Sequence, residues 1–241
     1  MPVKAGRRRA VTAAGVAAVM GSLVAPAHAA VPERGPDCLV SRCVALTFDD
    51  GPSPYTATLL TTLERQHVKV TFYVIGPHAL ARAQDVKRAF RDGDTIGDHT
   101  VHHPKLTKIS SAHVRYELDT AARQIASITR QRPTELRPPF GAENARVRAL
   151  AGRLGLSVVM WNVTPRDWKH HNAALVEKRV LDKVRPGAIV DMHDTYRSTI
   201  AAVPDIVATL KKRGYTLVTV PQLFAQTGGL KAGEAYFHGP S

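Results

Sequence analysis

The chain has 241 residues, 44% of them hydrophobic and 22% charged, the profile of a soluble globular protein with one catalytic-size domain and one substantial core. Its formal charge of +13 at pH 7 is scattered along the chain with no recognition motif beside it, which argues against nucleic acid as a partner.

The first residues stand apart from the rest. Lys4, Arg7, Arg8 and Arg9 precede a small-residue apolar stretch from Ala10 to Val24, and Ala27-His28-Ala29 has the A-x-A form of a cleavage site. Residues 1–29 therefore read as a secretory signal peptide. A membrane anchor is the competing reading, disfavoured by an Ala-rich core shorter than about 18 residues, and the arginine run also suits a twin-Arg export route. Loss of this segment lowers the charge to +9 and leaves no stable anchor. A surface of that sign favours anionic partners such as a bacterial wall polymer, and the mature product is expected to be a secreted or wall-associated monomer. Only two cysteines are present, Cys38 and Cys43. In an exported chain they read most simply as a small disulfide loop, with a metal pair or free thiols as the competing readings.

The body of the chain alternates strand and helix. Cys43–Phe48 is a short apolar run that ends at Asp49-Asp50-Gly51-Pro52, a buried strand entering a turn. Side chains alternate across a strand, so the two acids should diverge unless the backbone bends, which suggests two jobs for them. Helical spacing follows over 55–66 and a β-branched strand over 68–75. A helix over 77–91, a short strand over 95–97 and a long amphipathic helix over 110–129 come next. Leu136 is a short strand before Arg137-Pro138-Pro139-Phe140-Gly141, with a helix over 143–154 and a strand over 157–163 after it. Helices over 173–184 and 199–213 then alternate with strands over 188–192 and 216–220. About seven strands, each followed by a helix or crossover, predict an α/β fold with parallel strands. Asp49, Asp50, His99, His103, Arg137, Trp161, Asp167 and His193 all fall at or just past the carboxyl ends of those strands. A barrel gathers such positions at one mouth, whereas an open sheet spreads them along an edge. The expected fold is a distorted (β/α) barrel, TIM-barrel-like, spanning about 43–224 of a single domain over 30–241.

His99, His102 and His103 offer a metal site. On a helical turn His99 and His103 would share a face at i and i+4, with a carboxylate as third ligand and a water at an open position. The pair alone is a weak signal, and a strand-end Asp-Asp strengthens it.

At this point the chain resembles the polysaccharide deacetylases of the NodB-homology type, the fourth family of carbohydrate esterases. The resemblance covers about Cys43 to Phe224. It rests on Thr47-Phe48-Asp49-Asp50-Gly51, His99-Thr100-x-x-His103-Pro104, Arg137-Pro138-Pro139-Phe140-Gly141, Asp167-Trp168 and Met192-His193-Asp194, in the family's order. It implies that Asp50, His99 and His103 hold a divalent metal, Zn²⁺ by ligand type, with Co²⁺ or another transition metal as alternatives. It further implies Asp49 as general base and His193 as the acid that protonates the leaving amine. Asp167 would keep His193 cationic, and Arg137 would hold Asp49 through a bidentate contact. A backbone N–H near Phe140 would face the oxyanion, and Phe140 and Trp161 would contact the sugar. The implied activity is removal of N-acetyl groups from peptidoglycan or a chitin-type glycan, with O-deacetylation of a polymer such as xylan using the same machinery.

The chain departs from the family pattern at three positions. Phe140 stands where Tyr is common, Thr164 where an additional aspartate is frequent, and Asp191 where the family has the Leu of its Leu-x-His motif. In the family that Leu lines the slot for the acetyl methyl group, and a buried carboxylate suits a methyl poorly. Asp191 is expected to raise the pKa of His193, or to pair with Arg166 or Arg197. A glycan-binding protein with a relic site is the non-enzymatic reading that Asp191 supports.

Overall fold

Strand β1, Cys43–Asp49, is buried at every residue, and its two faces meet different surroundings. Val44, Leu46 and Phe48 pack into the larger apolar cluster, while Cys43 and Ala45 face a separate inner cluster with Tyr73, Val159 and Ile189. This period of two places Thr47 and Asp49 on the inner face as well. The computed structural model describes residues 35–240, together with 1–3 and 6, so the expected signal peptide lies outside the described residues.

After β1 the order is α1 (Thr56–Arg65), β2 (Thr71–Val74), α2 (Gly76–Ala81), α3 (Ala83–Arg91), β3 (Thr95–Asp98), α4 (Ser111–Thr129), β4 (Glu135–Leu136) and α5 (Ala145–Arg153). It continues with β5 (Ser157–Val159), α6 (Asp167–His170), α7 (Ala173–Lys183), β6 (Ala188–His193), α8 (Arg197–Lys212), β7 (Thr216–Leu217), α9 (Val220–Leu223) and β8 (Ala235–Tyr236). All strand pairs are parallel, in the order β6-β1-β2-β3-β4-β5-β8, with β7 paired to β1. A single parallel bridge, Val163 to Val190, ties the segment after β5 back to β6. The sheet therefore curls on itself as the expected distorted barrel. No helix among the described residues is long and apolar enough to cross a membrane.

Several boundaries moved. The expected helix over 77–91 is two helices, broken at Arg82 (φ −126°, ψ 45°). The strand expected over 157–163 stops at Val159, because the chain leaves the ladder before touching β6 at Val163. The strand expected over 216–220 ends at Leu217, where Thr219 caps α9 with a reciprocal Thr219–Gln222 capping box. Helix α6 and strand β8 had no counterpart in the sequence reading. Cys38 and Cys43 are joined as a disulfide with Cα atoms 5.4 Å apart, a span that such a bridge accommodates.

The inner face turns from apolar at the base to polar at the mouth. Tyr73 fills the middle, and Gly97 on the neighbouring strand makes room for it, since a Cβ there would lie 2.4 Å from the ring. The Tyr73 hydroxyl donates to Glu135, and the Arg137 guanidinium stacks 4.2 Å above the ring centroid. Arg137 is fully buried, so its charge requires partners. Those partners lie at the mouth.

Candidate active site

Asp49 closes β1 on the inner face and is 3% exposed. Asp50 follows at φ 71°, a left-handed conformation that breaks the strand's alternation. The backbone bends as the two acids required, and both side chains line one cavity of about 430 Å³ with His99, His103, Phe140, Trp161, Trp168, Asp191, His193 and Tyr196. Gly51 permits the bend, because a Cβ there would meet the Asp194 carboxylate at 2.2 Å. The buried Asp194 accepts from the Thr56 hydroxyl on the next helix.

His99 and His103 reach Asp50 from a loop, which corrects the expectation of a helical turn. Thr100 (φ 71°) and His103 (φ 56°) are both left-handed, so the pair converges through two tight bends. His99 Nε2 and His103 Nε2 lie 3.3 and 3.1 Å from Asp50 Oδ1. One ligand atom from each of the three residues falls within 4.8 Å of the others. The Nδ1–H of His99 donates to the Arg137 carbonyl at 2.6 Å, which directs Nε2 towards Asp50. Asp50 Oδ1 is buried with no hydrogen-bond partner. Burial alone would raise the Asp50 pKa, but the close approach of the His103 and His99 imidazoles, with His193 beyond them, holds it well below the carboxylate range. An orphaned carboxylate oxygen beside two converging imidazole nitrogens fits a divalent cation.

The loop itself is pinned by a residue that sequence reasoning missed. Glu117 on α4, 1% exposed, accepts from the backbone N–H groups of Val101 and His102 and from the His102 ring. His102 is thereby turned away from the cluster. His78, read as a solvated histidine, is exposed but donates from Nδ1 to the Asp50 carbonyl at 2.8 Å. No local spacing announces either contact, since each joins residues far apart in sequence.

Arg137 meets Asp49 through one nitrogen: Nη1 lies 2.9 Å from Asp49 Oδ1. The expected bidentate contact is absent, because Nε and Nη2 donate to the carbonyls of Val159 and Met160. Nη1 also donates to the Thr47 hydroxyl. Asp191 pairs with the same guanidinium, 3.8 Å from Nη1, instead of the expected Arg166 or Arg197. Burial, and then the charge of Asp49, raise the Asp191 pKa.

On the other side of Asp50, His193 Nδ1 donates to Asp167 Oδ1 at 2.9 Å and its backbone N–H to Oδ2 at 2.8 Å. The Thr199 hydroxyl and the Trp168 backbone N–H also donate to this carboxylate. Burial disfavours the imidazolium, but the hydrogen bond to Asp167 and the charge of Asp191 outweigh it and raise the His193 pKa to about 10. His193 Nε2 points at the cluster, 3.9 Å from Asp50 Oδ2. Asp191 thus raises the His193 pKa, as expected from their spacing on β6. Phe140 (φ 59°) turns its exposed ring edge-on against His103, with centroids 4.6 Å apart. Trp161 is half-buried, packing against two core clusters while also lining the cavity, and Trp168 is exposed. Thr164, in place of a carboxylate, accepts from the Arg166 backbone.

A family model described as polysaccharide deacetylase matches residues 37–159. The chain is 37% identical over 225 residues to the peptidoglycan-N-acetylglucosamine deacetylase PgdA of Listeria monocytogenes, a match covering 93% of this chain and 47% of that protein. The chain thus spans about half the length of that relative. It is 36% identical over 199 residues to a chitooligosaccharide deacetylase of Bradyrhizobium, covering 76% of this chain and 91% of the relative. The solved structure "T48 deacetylase with substrate" superposes with a TM-score of 0.81 at 40% identity, covering 84% of this chain and all of that one.

Proposed function

The chain belongs to the polysaccharide deacetylase family, and on that footing we propose that it is a secreted, metal-dependent hydrolase removing N-acetyl groups from N-acetylglucosamine-containing glycans of the peptidoglycan or chitin type. One observation carries this reading. A carboxylate held by Arg137 and an imidazole held by Asp167 stand on two sides of the Asp50–His99–His103 cluster.

Asp50, His99 and His103 would hold Zn²⁺, or Co²⁺ or another transition metal, which when bound polarises a carbonyl and acidifies water. Asp49 accepts the proton of the water that attacks the acetamide carbon, and Arg137 keeps its carboxylate aimed. The Phe140 backbone N–H faces the oxyanion, a donor that needs no tyrosine hydroxyl. His193, its Nδ1 engaged by Asp167, gives the Nε2 proton to the departing amine as the C–N bond breaks. The products are acetate and a free amino sugar.

Asp191 favours a second reading, a glycan-binding protein with impaired chemistry, because it sets a carboxylate in the cavity where a methyl group would sit. Acetate release decides between them. Peptidoglycan, chitin oligomers and acetylated xylan are each supplied with metal, and Asp49→Asn is expected to lower the rate at least about a hundredfold. Acetate from xylan alone would move the reading to an O-acetyl esterase. None from any of the three would leave the binder.

A further inference from the structure

Beside the reaction cavity lies a second one of about 520 Å³, bounded by Tyr55, His171, Thr195, Tyr196, Arg197 and Ser198. Tyr196 lines both, so the two spaces adjoin at that residue. Arg197 brings a guanidinium to the second space. His171, also on its lining, ends a basic segment whose Arg166 lines a separate cavity of about 210 Å³ together with Arg179 and Lys183.

These cations have no counter-charge of their own. Among the described residues, none of Arg166, Lys169, Arg179, Lys183 and Arg197 lies within 4.0 Å of a carboxylate. The one acid of the 164–171 segment, Asp167, is fully buried and committed to His193 and Thr199. On α7, which carries Arg179 and Lys183, Lys178 by contrast pairs with Asp182. Arg197 is exposed, makes no hydrogen bond among the described residues and lines the cavity. A neutral sugar presents hydroxyl and acetamide groups, which an unpaired guanidinium does not select. A carboxylate matches its planar fork.

We infer that the second cavity receives the sugar adjoining the deacetylated one and that this sugar bears a carboxylate, held by Arg197. The choice of a glycan rests on the deacetylase reading, whereas the choice of an anion rests on the cations themselves. The site then prefers a glycan with acidic substituents over an uncharged N-acetylglucosamine polymer.

Three tetrasaccharides test this by calorimetric titration, with acetate release followed in parallel. One is all N-acetylglucosamine, one carries 3-O-lactyl carboxylates on alternate sugars, and one carries the same groups as methyl amides. The carboxylate form is expected to bind at least about tenfold more tightly than its amide, the scale of one charge-assisted hydrogen bond. Salt should shrink that preference. Arg197→Gln should abolish it and leave binding of the neutral tetramer within about twofold, since the side chain makes no hydrogen bond or ion pair among the described residues that the change would break. Equal affinity for carboxylate and amide, or equal weakening of all three ligands by Arg197→Gln, overturns the inference even if acetate is released. Discrimination without acetate from any ligand would uphold the anion subsite and sink the deacetylase reading alone.

Discussion

Asp49 and Asp191 draw on one nitrogen of Arg137. Nη1 lies 2.9 Å from Asp49 Oδ1 and 3.8 Å from Asp191 Oδ1, and Asp191 Oδ1 has no hydrogen-bond partner. Two buried acids therefore share a single guanidinium whose other donors are spent on backbone carbonyls.

Asp191→Leu should free Nη1 for Asp49 and return an apolar wall to the cavity. Turnover of a chitin oligomer is expected to rise by up to about tenfold, the scale of relieving one uncompensated buried polar group. Loss of the Asp191 charge also lowers the His193 pKa, so the high-pH limb of kcat should move to lower pH. An unchanged or lower rate would sink this account of Asp191.

Asp167→Asn should bring the His193 pKa down from about 10 towards the ordinary 6.5. Protonated His193 then disappears as pH rises through neutrality, and kcat should fall there by about a hundredfold. The imidazole titration, followed by NMR, supplies the pKa directly. The raised pKa also stabilises the fold fully below 6.5, and that contribution is lost as pH climbs to about 10. The melting temperature of the wild type should decline over that window more steeply than that of the variant.

Glu117→Ala removes the acceptor for two loop amides and the His102 ring. Zinc affinity, measured by competition with a chromophoric chelator, is expected to drop about 10- to 100-fold, as for other outer-shell supports of a metal site. Glu117→Gln keeps an acceptor for the amides and should retain most of it. Affinities within twofold of wild type for both variants would make Glu117 a packing residue only.

Asp94, buried and accepting from the Val70 amide, has its pKa raised from 3.8 to about 7, chiefly by burial. The folded state holds that proton more tightly than the unfolded chain, so stability is lost as pH rises from about 4 to 7. Asp94→Asn keeps the acceptor without the charge. Denaturant melts should show the variant and wild type alike near pH 4, with the variant ahead by roughly 2–4 kcal/mol at pH 8.

The strand-end position of Asp49, Asp50, Arg137 and His193 was legible in the sequence because strands announce themselves by apolar runs and β-branched residues, and parallel strands collect such ends at one mouth. The convergence of His99 and His103 was legible as a pairing but not as a shape. Two left-handed non-glycine residues, Thr100 and His103, carry no compositional mark. Glu117 and His78 escaped for a related reason, since a buried glutamate on an amphipathic helix and an exposed histidine in the first turn of a helix look like any others until the chain is folded. Asp191 was visible as an oddity, whereas its partner was misjudged. Arg166 and Arg197 seemed available because exposed cations are easily recruited, yet the buried Arg137 was already on the inner face.

The bridge from Val163 to Val190 joins the segment after β5 to a strand that is otherwise held by β1 along its whole length. The stretch between that bridge and α7, which carries Asp167, Trp168 and the basic segment, therefore hangs from the barrel by one rung and a few side chains. Asp167 is the clasp of that stretch, accepting from the backbone and ring of His193 and from Thr199. The base side of the mouth is thus frame and the acid side attachment, and a change of length within residues 164–172 would reach the reaction first through the aim of His193.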